Sequence, residues 1–341
     1  MPITPQQSNQ LKSLAILMML CLHLFNREEH ALFQPWIYLG VKPLSYYISL
    51  FSDACVPIFA FVSGYGLYFK FKTKSANYYA DNKLRIKKLY INYWIILILF
   101  AVILGWIIGK DGYPGSFQKF ILNASGLDPS YNGAWWFFTT YVLFVLTSSF
   151  WFRLLTRYNP FLYIGVLLLI YMMAFYIRVY LPGLSGIPLV NYFQNQMALY
   201  FCTLFQFMLG AFALEFRWHE KITQKLKGIQ YPNALGLLGI IGLIVLHGLV
   251  PNFVIAPFTG LAFIFTFLQL KLPVRGLKVL DFFTPHATNI WLIHMFFYMI
   301  YFSEFIYSFQ YPIVIYLVLV VLCLGSSYIV NFINQKINKW V

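Results

Sequence analysis

The 341 residues are 60% apolar and 21% aromatic, and only 10% are charged, against roughly 25% in a soluble domain. The apolar runs reach about 20 residues without alternating, which excludes a soluble globular chain and a transmembrane β-barrel. The net charge of +14 would suggest nucleic acid for a soluble protein; here cation-rich cytoplasmic loops explain it, and no nucleic-acid partner is expected.

In chain order the sequence predicts ten spans, at 11–26, 44–69, 90–109, 134–152, 161–179, 197–215, 233–250, 252–270, 286–307 and 311–334. The expected fold is all-α, a polytopic membrane helix bundle, with residues 1–341 as one membrane domain. No small-residue cleavage site follows the first run, so that run is expected to remain as the first span. Charge tests the orientation. With both termini cytoplasmic, only Arg27, Lys42, Lys110, Lys119 and Arg178 of the 24 Lys and Arg residues fall on the outer side. Lys339, Lys336 and all the rest lie inside, as the positive-inside rule requires. The densest inner segment is a predicted loop at 70–89, with Lys70, Lys72, Lys74, Lys83, Arg85, Lys87 and Lys88 against Asp81 alone. Its reading is topology and anionic lipid, or a funnel for an anionic substrate. The outer 110–133 segment, with Gly112, Pro114, Gly115, Gly126, Pro129 and Gly133, reads as a turn-rich cap. It contains a formal sequon at Asn123, of little weight in a chain with a bacterial look.

The four cysteines, Cys21, Cys55, Cys202 and Cys323, are scattered through apolar runs and read as small core residues. No metal-ligand spacing, phosphate loop, G-x-S-x-G elbow or H-E-x-x-H is present, so no metal is expected. Two histidines lie well inside apolar runs. His23 stands eleven residues after Lys12 in a first run that is otherwise almost wholly apolar. On a helix the two share a face, about 16 Å apart along the axis. His294, in Ile-Trp-Leu-Ile-His-Met, lies about 12 Å from the inner end of its span. The bland reading of either is a neutral imidazole bonded between helices; the sharp one is a buried functional group. Asp53, His247, Glu304 and His286 fall near span ends and read as capping or solvated groups, and His30 and His219 as loop residues. Ser63-Gly64 reads as a close helix contact. Trp135-Trp136 open the fourth span, as an aromatic belt or as a platform for a sugar face.

Four stretches together resemble the acyltransferase-3 membrane family, which includes O-acetyltransferases of bacterial surface polysaccharides. Lys12 to His23 is similar to its first-helix motif of a basic residue, ten residues, then His. Val56-Pro-Ile-Phe-Ala-Phe-Val-Ser-Gly-Tyr65 looks like its Phe-rich run ending in Ser-Gly-aromatic. Ala134-Trp-Trp-Phe-Phe138 sits where the family opens a helix with Trp-Phe. Ile290-Trp-Leu-Ile-His294 looks like its late Tyr-Leu-x-His signature. The chain departs from the family in carrying Lys12 where Arg is usual, which keeps the charge and loses the bidentate fork. Pro57 also stands where some branches have an acidic residue.

The resemblance implies acetyl-CoA as cytoplasmic donor substrate and a sugar hydroxyl of a surface glycan or its lipid-linked precursor as outer acceptor. It implies a multi-pass protein of a bacterial plasma membrane, in contact with membrane lipids. His23 is the expected base, Lys12 the expected donor-phosphate contact, and Trp136, His294 and the outer cap the expected acceptor contacts. The rival reading is a polysaccharide or lipid-linked sugar exporter that transfers no acyl group. A third is a structural partner of a glycan-assembly complex.

Overall fold

The computed structural model describes residues 2–26, 32–183 and 185–337; Arg27, His30 and Lys339 lie outside them. Its helices, in order, are α1 (Pro5–Phe25), α2 (Leu44–Phe51), α3 (Cys55–Thr73), α4 (Tyr78–Ile96), α5 (Gly105–Ile108), α6 (Phe117–Ala124), α7 (Trp136–Arg157) and α8 (Pro160–Tyr180). They continue as α9 (Pro188–Glu215), α10 (Trp218–Lys225), α11 (Pro232–Leu249), α12 (Ala256–Gln269), α13 (Val274–Phe283), α14 (Ala287–Met295), α15 (Ser303–Tyr307) and α16 (Pro312–Ile337). The only sheet among the described residues is the two-residue pair Tyr38–Leu39 with Lys42–Pro43. Eight helical stretches among them are long and apolar enough to cross a membrane. The other two expected spans appear as a shorter apolar helix, Phe253–Gln269, and as α14 running into a π-helical stretch, Phe296–Tyr301. The protein is an all-α, multi-pass membrane helix bundle.

Proline opens several of these helices at its preferred first-turn position, as at Pro160, Pro188 and Pro232. Asn159 caps α8, its side chain accepting from the backbone N–H of Phe161 and Leu162. The predicted 70–89 loop is instead largely helical. α4 begins at Tyr78, so Lys83, Arg85, Lys87 and Lys88 stand on its first turns. Lys and Arg are good helix formers, and no Gly or Pro interrupts them.

The chain forms two compact units. The first comprises residues 1–15, 53–82 and 140–273. Its centre is the crossing of α3 and α9. A Cβ at Gly64 would overlap the Phe207 carbonyl oxygen, and one at Gly210 the Phe61 carbonyl oxygen. Two backbones therefore touch where Ser63-Gly64 suggested a close approach. Gly260 of α12 packs closely on the Pro57 side chain, 2.7 Å from where its own Cβ would stand. At one end of α3 and α9, Glu215 accepts from the Tyr68 hydroxyl and the Lys72 ammonium, each at 2.7 Å. At the other, Arg178 lies 5.0 Å from the centre of the Phe253 ring and is an electrostatic partner of Asp53. His247, expected to be solvated, is 1% exposed.

The second unit comprises 16–52, 83–139 and 274–341. A π-helical stretch, Leu97–Leu104, continues α4 into α5 and meets the one that follows α14. Tyr301 donates to the Phe100 carbonyl at 2.7 Å, and the Phe100 and Phe296 rings stack at 5.3 Å. The turn-rich 110–133 segment is built on Asn123, which is fully buried. Its amide donates to the Lys119 carbonyl and to Ser130, and its carbonyl oxygen accepts from the Tyr131 backbone. The sequon asparagine is thus a structural centre and not an exposed acceptor. Lys119 lies over the rings of Tyr113 and Tyr131, 5.0 and 4.9 Å from their centroids. Burial, with Tyr131 beside it, pushes the Tyr113 phenol up to about 12. It stays protonated and donates to the Tyr131 carbonyl.

Asparagines tie α4, α14 and α16 together. Asn289 accepts from Asn92 at 2.7 Å and donates to Ser327 and Asn331 at 2.9 and 2.8 Å. Asn334 donates to Asn92, and His286 is bonded to Ser327. His286, expected to be solvated, is 4% exposed for this reason. Each such bond between membrane helices contributes about 0.6–2 kcal/mol. Asn289→Leu strands three partners, so the thermal midpoint of the detergent-purified protein is expected to fall by several degrees. An unchanged midpoint would show that the network carries no stability.

Candidate active site

His23 lies near the end of α1, half-buried, and His294 on the last turn of α14, 0% exposed. Nδ1 of His23 and Nε2 of His294 are 2.6 Å apart, and the rings stack at 4.9 Å. The other nitrogen of His294, Nδ1, is 2.8 Å from the Trp291 carbonyl and 3.2 Å from that of Ile290. Carbonyl oxygens only accept, so His294 Nδ1 carries the proton. In the neutral ring Nε2 is then an acceptor, and the hydrogen between the two rings belongs to His23 Nδ1. In a neutral His23, Nε2 then holds the lone pair of a base. A helix backbone thus sets the tautomer of a histidine on another helix through one intervening ring. Tyr298, one turn beyond His294, completes the cluster, with its ring 6.2 Å from His23 and 5.8 Å from His294.

The turn that carries His294 is gripped by the segment before α7. Asn132 and the Trp135 indole both donate to the Leu292 carbonyl, at 3.0 and 2.9 Å. Trp291 donates to the Ala134 carbonyl at 3.0 Å, and the Ala134 N–H points at the Met295 sulfur. Asn132, Ala134 and Trp135 are buried, whereas Gly133 between them is exposed. Of the adjacent tryptophans, Trp135 therefore holds α14, while Trp136 is half-buried with its ring against Phe137. Lys12, also half-buried, is on α1 with His23, eleven residues before it.

By their depth in the spans the two histidines could face one cavity near the midplane; the structure brings them into direct contact. The sequence reading missed Asn132, Trp135 and Tyr298 as neighbours of the pair, and the asparagines Asn92 and Asn289. The signal was present: amides inside apolar runs are as unusual as histidines.

The acyltransferase-3 family model, described as an acyltransferase domain, matches residues 7–332, nearly the whole chain. The chain belongs to the acyltransferase-3 family. No curated protein and no solved structure matches it. For an acyltransferase, the histidine pair has the parts of a general base: a lone pair at His23 Nε2, and a bonded partner that fixes the ring.

Proposed function

We propose that this membrane acyltransferase moves an acetyl group from cytoplasmic acetyl-CoA to a sugar hydroxyl of a cell-surface polysaccharide or its lipid-linked precursor. The reading includes ten spans with both termini cytoplasmic, in a bacterial plasma membrane. The observation that carries it is the 2.6 Å contact between His23 and His294 in a chain of this family. The acceptor hydroxyl attacks the thioester carbonyl carbon as His23 Nε2 takes its proton. The C–O bond forms, the C–S bond breaks, and His23 returns the proton to the departing sulfur, giving an ester and free CoA thiol. Both nitrogens of His294 are engaged, so its role is to orient His23 rather than to hold the acceptor. Trp136 and the outer cap are the acceptor contacts.

Lys12 supplies a positive charge for the donor phosphates. A charge-only role predicts that Lys12→Arg is tolerated and that Lys12→Ala raises the acetyl-CoA concentration needed for half-maximal rate. An unchanged donor dependence in Lys12→Ala would remove it from the donor site. The deciding experiment is transfer of labelled acetyl from acetyl-CoA in membrane vesicles holding the acceptor glycan, comparing wild type with His23→Ala at matched expression. Label in the glycan with wild type alone supports the reading. Movement of unlabelled glycan by both proteins, with no ester formed, supports an exporter instead.

A further inference from the structure

Between α9 and α11 the chain makes a separate eight-residue helix, α10 (Trp218–Lys225). Arg217 before it takes a left-handed conformation, φ 53°, which turns the chain out of α9. The helix is seated by Trp218, 6.3 Å from the Phe265 ring, and by Gln269, which donates to Thr223 at 3.1 Å. Trp218, Lys221, Ile222 and Lys225 follow one another at helical spacing, so all four project within an arc of about 100°. Together with Gln224 they line one shallow, wide-open groove on the surface of this helix alone.

An ordinary interfacial helix places its cations opposite its apolar residues. Here two ammonium groups and two apolar side chains share one face of the helix. Neither Lys221 nor Lys225 has an ion-pair partner among the described residues. On the proposed topology, on which this inference rests, α10 faces the cytoplasm; the positive-inside rule requires cations on that side but not on the same stripe as a tryptophan and an isoleucine. A ligand complementary to this groove carries an anionic head and an apolar body.

We propose that the α10 groove is a binding site for one anionic phospholipid of the cytoplasmic leaflet. Its phosphodiester sits between Lys221 and Lys225, and its glycerol and first acyl carbons lie along Trp218 and Ile222. The neighbouring basic residues Arg217 and Lys227 raise the local concentration of anionic lipid.

The test is native mass spectrometry of the full-length, detergent-purified protein titrated with phosphatidylglycerol or phosphatidylcholine. Wild type is expected to bind the first phosphatidylglycerol at least tenfold more tightly than phosphatidylcholine. Lys221→Gln/Lys225→Gln, a surface change checked by an unaltered size-exclusion profile, is expected to lose that preference. Lys87→Gln/Lys88→Gln is expected to keep it. Equal loss in both double variants would show general electrostatic attraction and overturn the site, as would equal affinity for the two lipids in wild type. Displacement of phosphatidylglycerol from wild type by coenzyme A would assign the groove to a nucleotide phosphate and equally overturn it.

Discussion

His23→Ala is expected to lose acyl transfer by about 10² to 10⁴ in rate, the usual contribution of a positioned base, while inserting and folding as wild type does. The measurement is initial rate in vesicles at matched protein, with the acceptor saturating. The second member of the pair makes the expectation sharper. His294→Ala removes the acceptor for His23 Nδ1–H but leaves the base in place. Its cost is expected to be about ten- to hundredfold, the rate equivalent of the roughly 1.5–3 kcal/mol that a hydrogen bond to a charged group contributes once His23 has taken the proton. His294→Gln, whose amide oxygen accepts the same hydrogen, should recover part of that loss. Because the two side chains act as one unit, the double variant should be little slower than His23→Ala alone. Additive losses would mean that His294 works elsewhere, and wild-type rates in His23→Ala would remove the base altogether.

The helical spans were legible because lipid imposes them: length and hydropathy are local properties of the sequence. Both histidines were legible for the same reason, since an imidazole in an apolar run is conspicuous. Their contact was not. It depends on which faces of α1 and α14 meet and on how Asn132 and Trp135 pin the turn around Leu292. Helical spacing could not decide between Trp135 and Trp136 either, because adjacent residues differ by a rotation that only packing resolves. His286 and His247 were misjudged by position. Nearness to a span end says little about exposure where a neighbouring helix covers the side chain, as Ser327 of α16 and its neighbours do for His286. The basic 70–89 segment looks like a loop from its charge, yet Lys and Arg carry a helix readily and α4 begins at Tyr78.

Gly64→Ala is expected to yield no stably folded protein, although it adds one methyl group. The added carbon would overlap the Phe207 carbonyl oxygen and lie 2.7 Å from the Phe207 carbonyl carbon. A clashing side chain can change rotamer, but backbone on a packed helix cannot, so α3 and α9 must separate. The same holds from the other side: a Cβ at Gly210 would overlap the Phe61 carbonyl oxygen and lie 2.7 Å from the Tyr65 nitrogen. Between membrane helices such packing is the main attraction, because lipid tails are as apolar as the side chains they replace. Separation at this crossing therefore removes the attraction along much of the interface, and the cost exceeds the ~1–3 kcal/mol of ordinary overpacking. Gly66→Ala supplies the control. It sits two residues further along the same helix, with nothing within 4 Å of its added carbon, and should stabilise by about 0.5–1 kcal/mol through helix propensity. Size exclusion and thermal unfolding of the two variants in one detergent decide the matter. A monodisperse Gly64→Ala protein melting with wild type would show that the crossing is looser than described. Loss confined to that variant makes the Ser-Gly element of the family signature a packing device, which no role in binding substrate is needed to explain.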